Sequence, residues 1–376
     1  MVGAEERTAF FAAAAGIFNI GWAACQNAHQ ALVPELTPSV EGRVLLNSLR
    51  YSSMVAANLL VLTSALVLLT TGAFGPGTQT EDSPATYKVL TGIVLGTGSA
   101  LAVAFLSLVR APPLAPPSEK VAGATPAGGV AAAAAAAAAA PTRPIGEWLR
   151  TLDLYKTLLA YITMRMATNF TTLYMALFVT TTLAMDQGAI AAIPFVIFAA
   201  SLLSVSQLKR LTACLGLRGA LSAGAVLFSV GSAGILLAAP GPASAVMYPV
   251  ALCLGAGLAA ITVSVATLQS ELLGDDTASA GFVFGIMSAA DKLVVGVAVL
   301  GVQLAAEGQF NAAAPGAAGA NFFRYTLGIV PLACVGACLL LAFSLPKPRG
   351  EVGGGGKGGE AAPTVVNPLA PERAPV

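Results

Sequence analysis

The sequence predicts an all-α, polytopic membrane protein with about nine transmembrane helices. Three observations point there. The chain is 56% hydrophobic and only 10% charged, against about a quarter charged in an ordinary soluble domain. Its mean hydropathy is +0.79. Apolar runs of about 20 residues, the length that crosses a ~30 Å hydrocarbon core, recur along it.

The runs fall at 9–32, 50–72, 87–109, 154–184, 188–208, 217–239, 244–270, 280–304 and 323–345. The first has the look of a signal-anchor, but it continues past any small-residue cleavage site into Trp22. Between the first and second runs lies a polar hinge, Ala31-Leu32-Val33-Pro34-Glu35-Leu36-Thr37, followed by Glu41, Arg43 and Leu49-Arg50-Tyr51. It places acid and base at the mouth of the bundle. Asp186-Gln187-Gly188 turns the fourth run into the fifth, and Pro240-Gly241-Pro242 forces an antiparallel hairpin between the sixth and seventh.

Composition changes abruptly after the third run. Pro112-Pro113, Pro116-Pro117 and the alanine run 131–140 make a low-complexity connector. The expected domains are three helices over 1–109, a linker over 110–147, six helices over 148–346 and a disordered tail over 347–376. With the hinge in the cytoplasm, one set of loops carries Arg43, Arg110, Lys120, Arg143, Arg150, Lys209, Arg210, Arg218, Lys347 and Arg349. The opposite set carries only Lys88 and Arg324, with Arg7 at the N-terminus. This positive-inside bias puts the C-terminus in the cytoplasm.

A net charge of +1 argues against a nucleic-acid partner. Cys25, Cys214, Cys253, Cys334 and Cys338 all lie in apolar runs, none at metal-ligand spacing to the single histidine, His29. Neither a phosphate loop nor a nucleophile elbow is found, so an enzyme is not expected, and no cofactor or metal is implied.

Charges inside apolar runs mark function, because each costs ~2.5–3.5 kcal/mol when alone at a helix centre. Arg165 shares a four-residue stripe with Tyr161 and Asn169. Its guanidinium suits either a solute carboxylate or an interhelical pair with Asp291. Asp291 and Lys292 are adjacent, so they point about 100° apart and at least one needs a partner elsewhere; a helix-end pair snorkelling to the interface is the bland alternative. Gln26 and Asn19 share a face that would line a cavity. His29 is a possible proton switch or simply a structural histidine. Glu35, Arg43 and Arg50 are expected to form a cytoplasmic gating network. Gly255, Gly257, Gly281 and Gly285 read as small faces for close helix approach.

The hinge Leu32-Val33-Pro34-Glu35-Leu36-Thr37, with Arg43 and Leu49-Arg50, resembles the hinge after the fourth helix of the glycoside–pentoside–hexuronide:cation symporters of the major facilitator superfamily. Gly21-Trp22-Ala23, Ala57-Asn58, Met164-Arg165, Ala192-Ile193-Pro194 and Gly281-Phe282-Val283-Phe284-Gly285 extend the resemblance to a branch that imports cysteine into lysosomes and melanosomes. The resemblance implies a truncated three-plus-six version of that fold, lacking the first three helices. It brings Lys292 onto the family's central-cavity lysine, and adds Gln26 and Asn58 to Arg165, Asn169, Asp291 and Lys292 as candidate substrate- or ion-binding residues. Gln26 stands where the sugar symporters place a cation-binding aspartate. A neutral amide suits sodium poorly, so proton coupling or facilitated exchange is expected. The implied function is alternating-access transport of a small polar solute, cysteine-like or sugar, across a lysosomal, vacuolar or plasma membrane. The alternatives are a non-transporting scaffold or an incomplete gene model.

Overall fold

The computed structural model describes residues 4–37, 39–70, 84–108, 143–185, 187–274, 276–312 and 318–346. Among them every regular element is helical. In chain order these are α1 (Ala4–Leu36), α2 (Val40–Thr70), α3 (Pro84–Leu108), a one-turn α4 (Ile145–Trp148), α5 (Leu152–Leu177), α6 (Gln187–Leu237), α7 (Met247–Leu273), α8 (Ala280–Ala312) and α9 (Ala318–Ser344). Of the expected linker over 110–147, residues 110–142 lie outside the described residues, as do the tail from 347 and Asp186 of the fourth turn, while 145–147 belong to the one-turn helix α4.

Seven of these helices are long and apolar enough to cross a membrane. α6 contains 51 residues, about 77 Å at 1.5 Å per residue, more than twice a hydrocarbon core. Gly216, at φ 74° and ψ 172°, divides it into rods 187–215 and 217–237, because only glycine adopts that conformation without a Cβ clash. With α6 counted as two rods and the 26-residue α5 added, the described residues hold the nine membrane-length rods expected.

The hinge is shorter than the sequence reading. α1 runs through Pro34 to Leu36, and α2 begins at Val40. Ser39 starts α2 by capping it: its Oγ accepts from Gly42 N at 3.1 Å, and its carbonyl from Arg43 N at 3.0 Å. Arg43, expected in the loop, therefore sits on the same helix as Arg50.

α6 and α7 make the most extensive helix pair, and α9 lies against α5 and α6. Small residues permit the approach. Ser201 Oγ donates to the Gly255 carbonyl at 2.9 Å, and Ser204 Oγ to the Ala256 carbonyl at 3.1 Å. A Cβ on Gly257 would stand 2.6 Å from Phe228 N and 2.8 Å from the Gly224 carbonyl. Gly281 and Gly285, grouped with these in the sequence, have nothing within 4 Å of a built Cβ, so they serve no close approach. Trp148, Phe170, Tyr174, Phe178, Phe228 and Phe284 fill the core. α2 packs on α6 and α7, and α1 on α8. Phe10, Phe11, Ile17 and Phe18 of α1 and Leu101, Leu106 and Leu108 of α3 face outward, as side chains in lipid should.

Candidate functional site

Four helices converge on a cavity of about 240 Å³. α1 contributes Trp22, Cys25, Gln26, His29 and Gln30, whose spacing of three and four keeps them on one face. α2 supplies Asn47, Arg50, Tyr51 and Met54; α5 supplies Tyr161, Met164, Arg165 and Thr168; α7 supplies Thr262, Val263, Ala266 and Gln269. The charged side chains in this lining are Arg50 and Arg165, and no carboxylate accompanies them. Tyr161 and Gln269 are buried, and the Tyr161 hydroxyl is a hydrogen-bond neighbour of the Gln26 side chain. Gln269 Oε1 has no hydrogen-bond partner among the described residues, so the wall offers a buried acceptor.

A second cavity, about 530 Å³, lies further along α5 and α8. Asn169, Thr172 and Leu173 of α5 and Asp291, Lys292, Val295, Gly296 and Val299 of α8 line it. Trp22 and Arg165 belong to both walls. The two cavities meet at a chain of four side chains. Arg165 Nε lies 3.2 Å from Asp291 Oδ2, Lys292 Nζ 3.7 Å from the same oxygen, and Lys292 Nζ 4.0 Å from the centre of the Trp22 ring. Asp291 is 1% exposed and its Oδ1 has no partner. Arg165 thus makes the interhelical pair with Asp291 and lines both cavities as well.

Toward the hinge the path narrows. Asn47 Nδ2 donates to Thr267 Oγ1 at 3.4 Å. One turn beyond, Arg43 Nη1 donates to Glu271 Oε1 at 2.9 Å and to the Ser270 carbonyl at 2.7 Å, while its Nε holds the Thr37 carbonyl at 3.1 Å. Arg43 is 3% exposed. The expected trio of Glu35, Arg43 and Arg50 does not converge. Arg43 pairs with Glu271, Arg50 lies two turns deeper in the cavity wall, and Glu35 is exposed on α1.

Gln26 and His29 line the inner cavity, and the His29 ring stands 5.5 Å from that of Phe105. Asn58, one turn beyond Met54 on α2, joins neither lining, and Asn19 donates to the Ala15 carbonyl of its own helix at 2.8 Å. Glu271, Gln30 and Gln269 were not singled out from the sequence. An acid ending an apolar run on the hinge side, opposite Arg43, was the signal for Glu271.

Asp276, in the turn between α7 and α8, ties the start of the six-helix stretch to this end of the bundle. Its Oδ2 accepts from Ser279 Oγ at 2.7 Å, Trp148 Nε1 at 3.2 Å and Arg143 N at 3.2 Å. Burial pushes this carboxyl up, but the hydrogen bonds outweigh it and hold it below the usual carboxylate range.

The family described as MFS/sugar transport protein matches this chain over residues 2–347. Major facilitator superfamily domain-containing protein 12 of Homo sapiens is 31% identical over 300 residues, and that of Equus caballus 30% over 302; each match covers 76% of this chain and 60% of the relative. The chain therefore spans 60% of the length of these relatives. A helical bundle of membrane-length rods, with a cavity between four of its helices and a family match along nearly its whole length, has one classification: the chain belongs to the MFS/sugar transport protein family of the major facilitator superfamily.

Proposed function

We propose that this chain carries out secondary transport of a small solute bearing a carboxylate, a cysteine-like amino acid before a neutral sugar, by alternating access with a coupled proton. The observation that carries the reading is the pair Arg50 and Arg165 in a lining without a carboxylate. A guanidinium binds a carboxylate through a planar fork and gains little from a neutral sugar. The amide oxygen of Gln269, which has no partner among the described residues, and the Gln26 amide in the same wall are acceptors for an ammonium or hydroxyl on the same solute. Site residues are drawn from α1 and α2 on one side and α5, α7 and α8 on the other, the arrangement that alternating access requires. His29 of the inner wall and Asp291 of the outer wall are our candidates for carrying the proton, and Asn169 and Lys292 line the outer cavity through which the solute leaves. Arg43 and Glu271 close the hinge end. We further propose that this end and the C-terminus face the cytoplasm, a reading the positive-inside pattern supports, and that the membrane is a lysosomal, vacuolar or plasma membrane.

The test is counterflow in liposomes holding the purified chain, with L-cysteine, glucuronate and glucose as trial solutes and with or without an inward proton gradient. L-cysteine exchange, enhanced by the gradient, supports the reading. Exchange of glucose alone overturns the carboxylate assignment, and exchange of none of the three favours a non-transporting scaffold.

A further inference from the structure

We infer that Trp22 is the barrier side chain between the two cavities and that Lys292 is the latch that holds it closed; this deepens the transport reading and rests on it. Trp22 and Arg165 are the two residues shared by both linings, so the solute's route from one cavity to the other passes them. Arg165 is fixed, because Asp291 on α8 holds its Nε at 3.2 Å. Trp22 is not fixed by packing. It keeps 46% of its surface exposed, and its one ring neighbour among the described residues is Phe18 at 6.4 Å, one turn away on its own helix.

What holds the indole from across the path is the Lys292 ammonium, 4.0 Å from the ring centre, within the range of a cation–π contact. Lys292 is in turn anchored by Asp291 at 3.7 Å. The barrier is therefore a connected set, Trp22 to Lys292 to Asp291 to Arg165, reaching from α1 through α8 to α5. It releases at its weakest contact. A solute carboxylate that draws Lys292 away leaves the indole without its partner, and the ring then swings along α1. Arg43 and Glu271 lie on the hinge side of the inner cavity and this set on the other, so the inner cavity is bounded by two ionic closures on opposite sides. Two closures that open alternately are what a carrier needs, and one that opens by losing a cation–π contact would respond to an anionic solute.

Cys25 gives a natural reporter, because it lines the inner cavity and not the outer one. The full chain is reconstituted in liposomes, a membrane-impermeant sulfonated methanethiosulfonate is applied to each face separately, and the modified peptide is quantified by mass spectrometry. From the face of the outer cavity Cys25 is expected to be protected in the native chain. Trp22→Ala raises its modification rate about tenfold or more, Trp22→Phe keeps it protected, and Lys292→Gln raises it severalfold, in line with the loss of one partly exposed cation–π contact. Native-like modification in both Trp22→Ala and Lys292→Gln overturns the inference. So does a native chain whose Cys25 already reacts from that face as fast as in Trp22→Ala. The readout needs no transport. Failed counterflow with intact Cys25 gating sinks only the transport reading, and counterflow without gating sinks only this one.

Discussion

Arg43 and Glu271 join α2 to α7 through a 2.9 Å ion pair buried at the hinge end of the bundle. Arg43 also caps the Ser270 carbonyl at the last turn of α7 and holds the Thr37 carbonyl between α1 and α2, so one side chain fixes three chain segments. Removing one partner of a buried pair leaves the other charge desolvated, which costs about 3–5 kcal/mol, whereas removing both costs much less. Arg43→Ala is expected to lower the unfolding temperature in detergent markedly, and the Arg43→Ala/Glu271→Ala double variant to recover part of the loss. Purely additive effects in that double-mutant cycle would show that the pair is not coupled.

The solute site makes a prediction about its two guanidiniums. Losing a hydrogen bond to a charged group costs about 1.5–3 kcal/mol, which is roughly 10- to 100-fold in apparent affinity. Arg50→Ala and Arg165→Ala should each reduce L-cysteine counterflow by that factor. Arg165→Ala also strips Asp291 of its 3.2 Å partner and leaves it Lys292 at 3.7 Å, so it should lower thermal stability more than Arg50→Ala. Counterflow unchanged in both variants would remove the carboxylate assignment.

Acid should loosen the α7–α8 turn before the rest of the bundle. Asp276 is held below the ordinary carboxylate range by its hydrogen bonds. A carboxyl depressed on folding contributes stability that is present in full above its unfolded value and is lost as pH falls through its folded value. The loss therefore begins only below the normal carboxylate pKa, near 3.8. Emission from Trp148, whose indole donates to this carboxylate, should stay constant from neutral pH to about 4 and change below it. Asp276→Asn should show the low-pH emission already at neutral pH. A Trp148 signal that changes between pH 5 and 7 would point to a different titrating group.

Much of the bundle was legible because a helix in lipid must satisfy its backbone internally, so long apolar runs leave no other choice. Arg165, Asp291 and Lys292 were legible for the same reason: a charge in such a run demands a partner, and the three do meet. The start of α2 was not, since Glu41 and Arg43 look like loop residues until Ser39 is seen capping the helix that carries them. The partner of Arg43 was not legible either. Glu271 lies 228 positions away, and only the packing of α2 against α7 brings the two together. Asn58, named from the resemblance, lies one turn past the cavity wall on α2 and joins neither lining.

The four glycines read as one packing pattern separate cleanly in the structure, and that separation can be tested by adding a methyl group to each. At Gly257 a Cβ meets Phe228 N and the Gly224 carbonyl, backbone atoms that cannot swing aside, so α6 and α7 would have to part. Overpacking of this kind costs about 1–3 kcal/mol or more. At Gly285 a Cβ meets nothing within 4 Å, and alanine in a helix interior is favoured over glycine by roughly 1 kcal/mol. Gly257→Ala should therefore lower the unfolding temperature in detergent, while Gly285→Ala should leave it unchanged or raise it. Gly255→Ala should behave like the first, because its Cβ would strike the Ile197 carbonyl, and Gly281→Ala like the second. Equal effects at Gly257 and Gly285 would mean that the α6–α7 contact is looser than a close backbone approach.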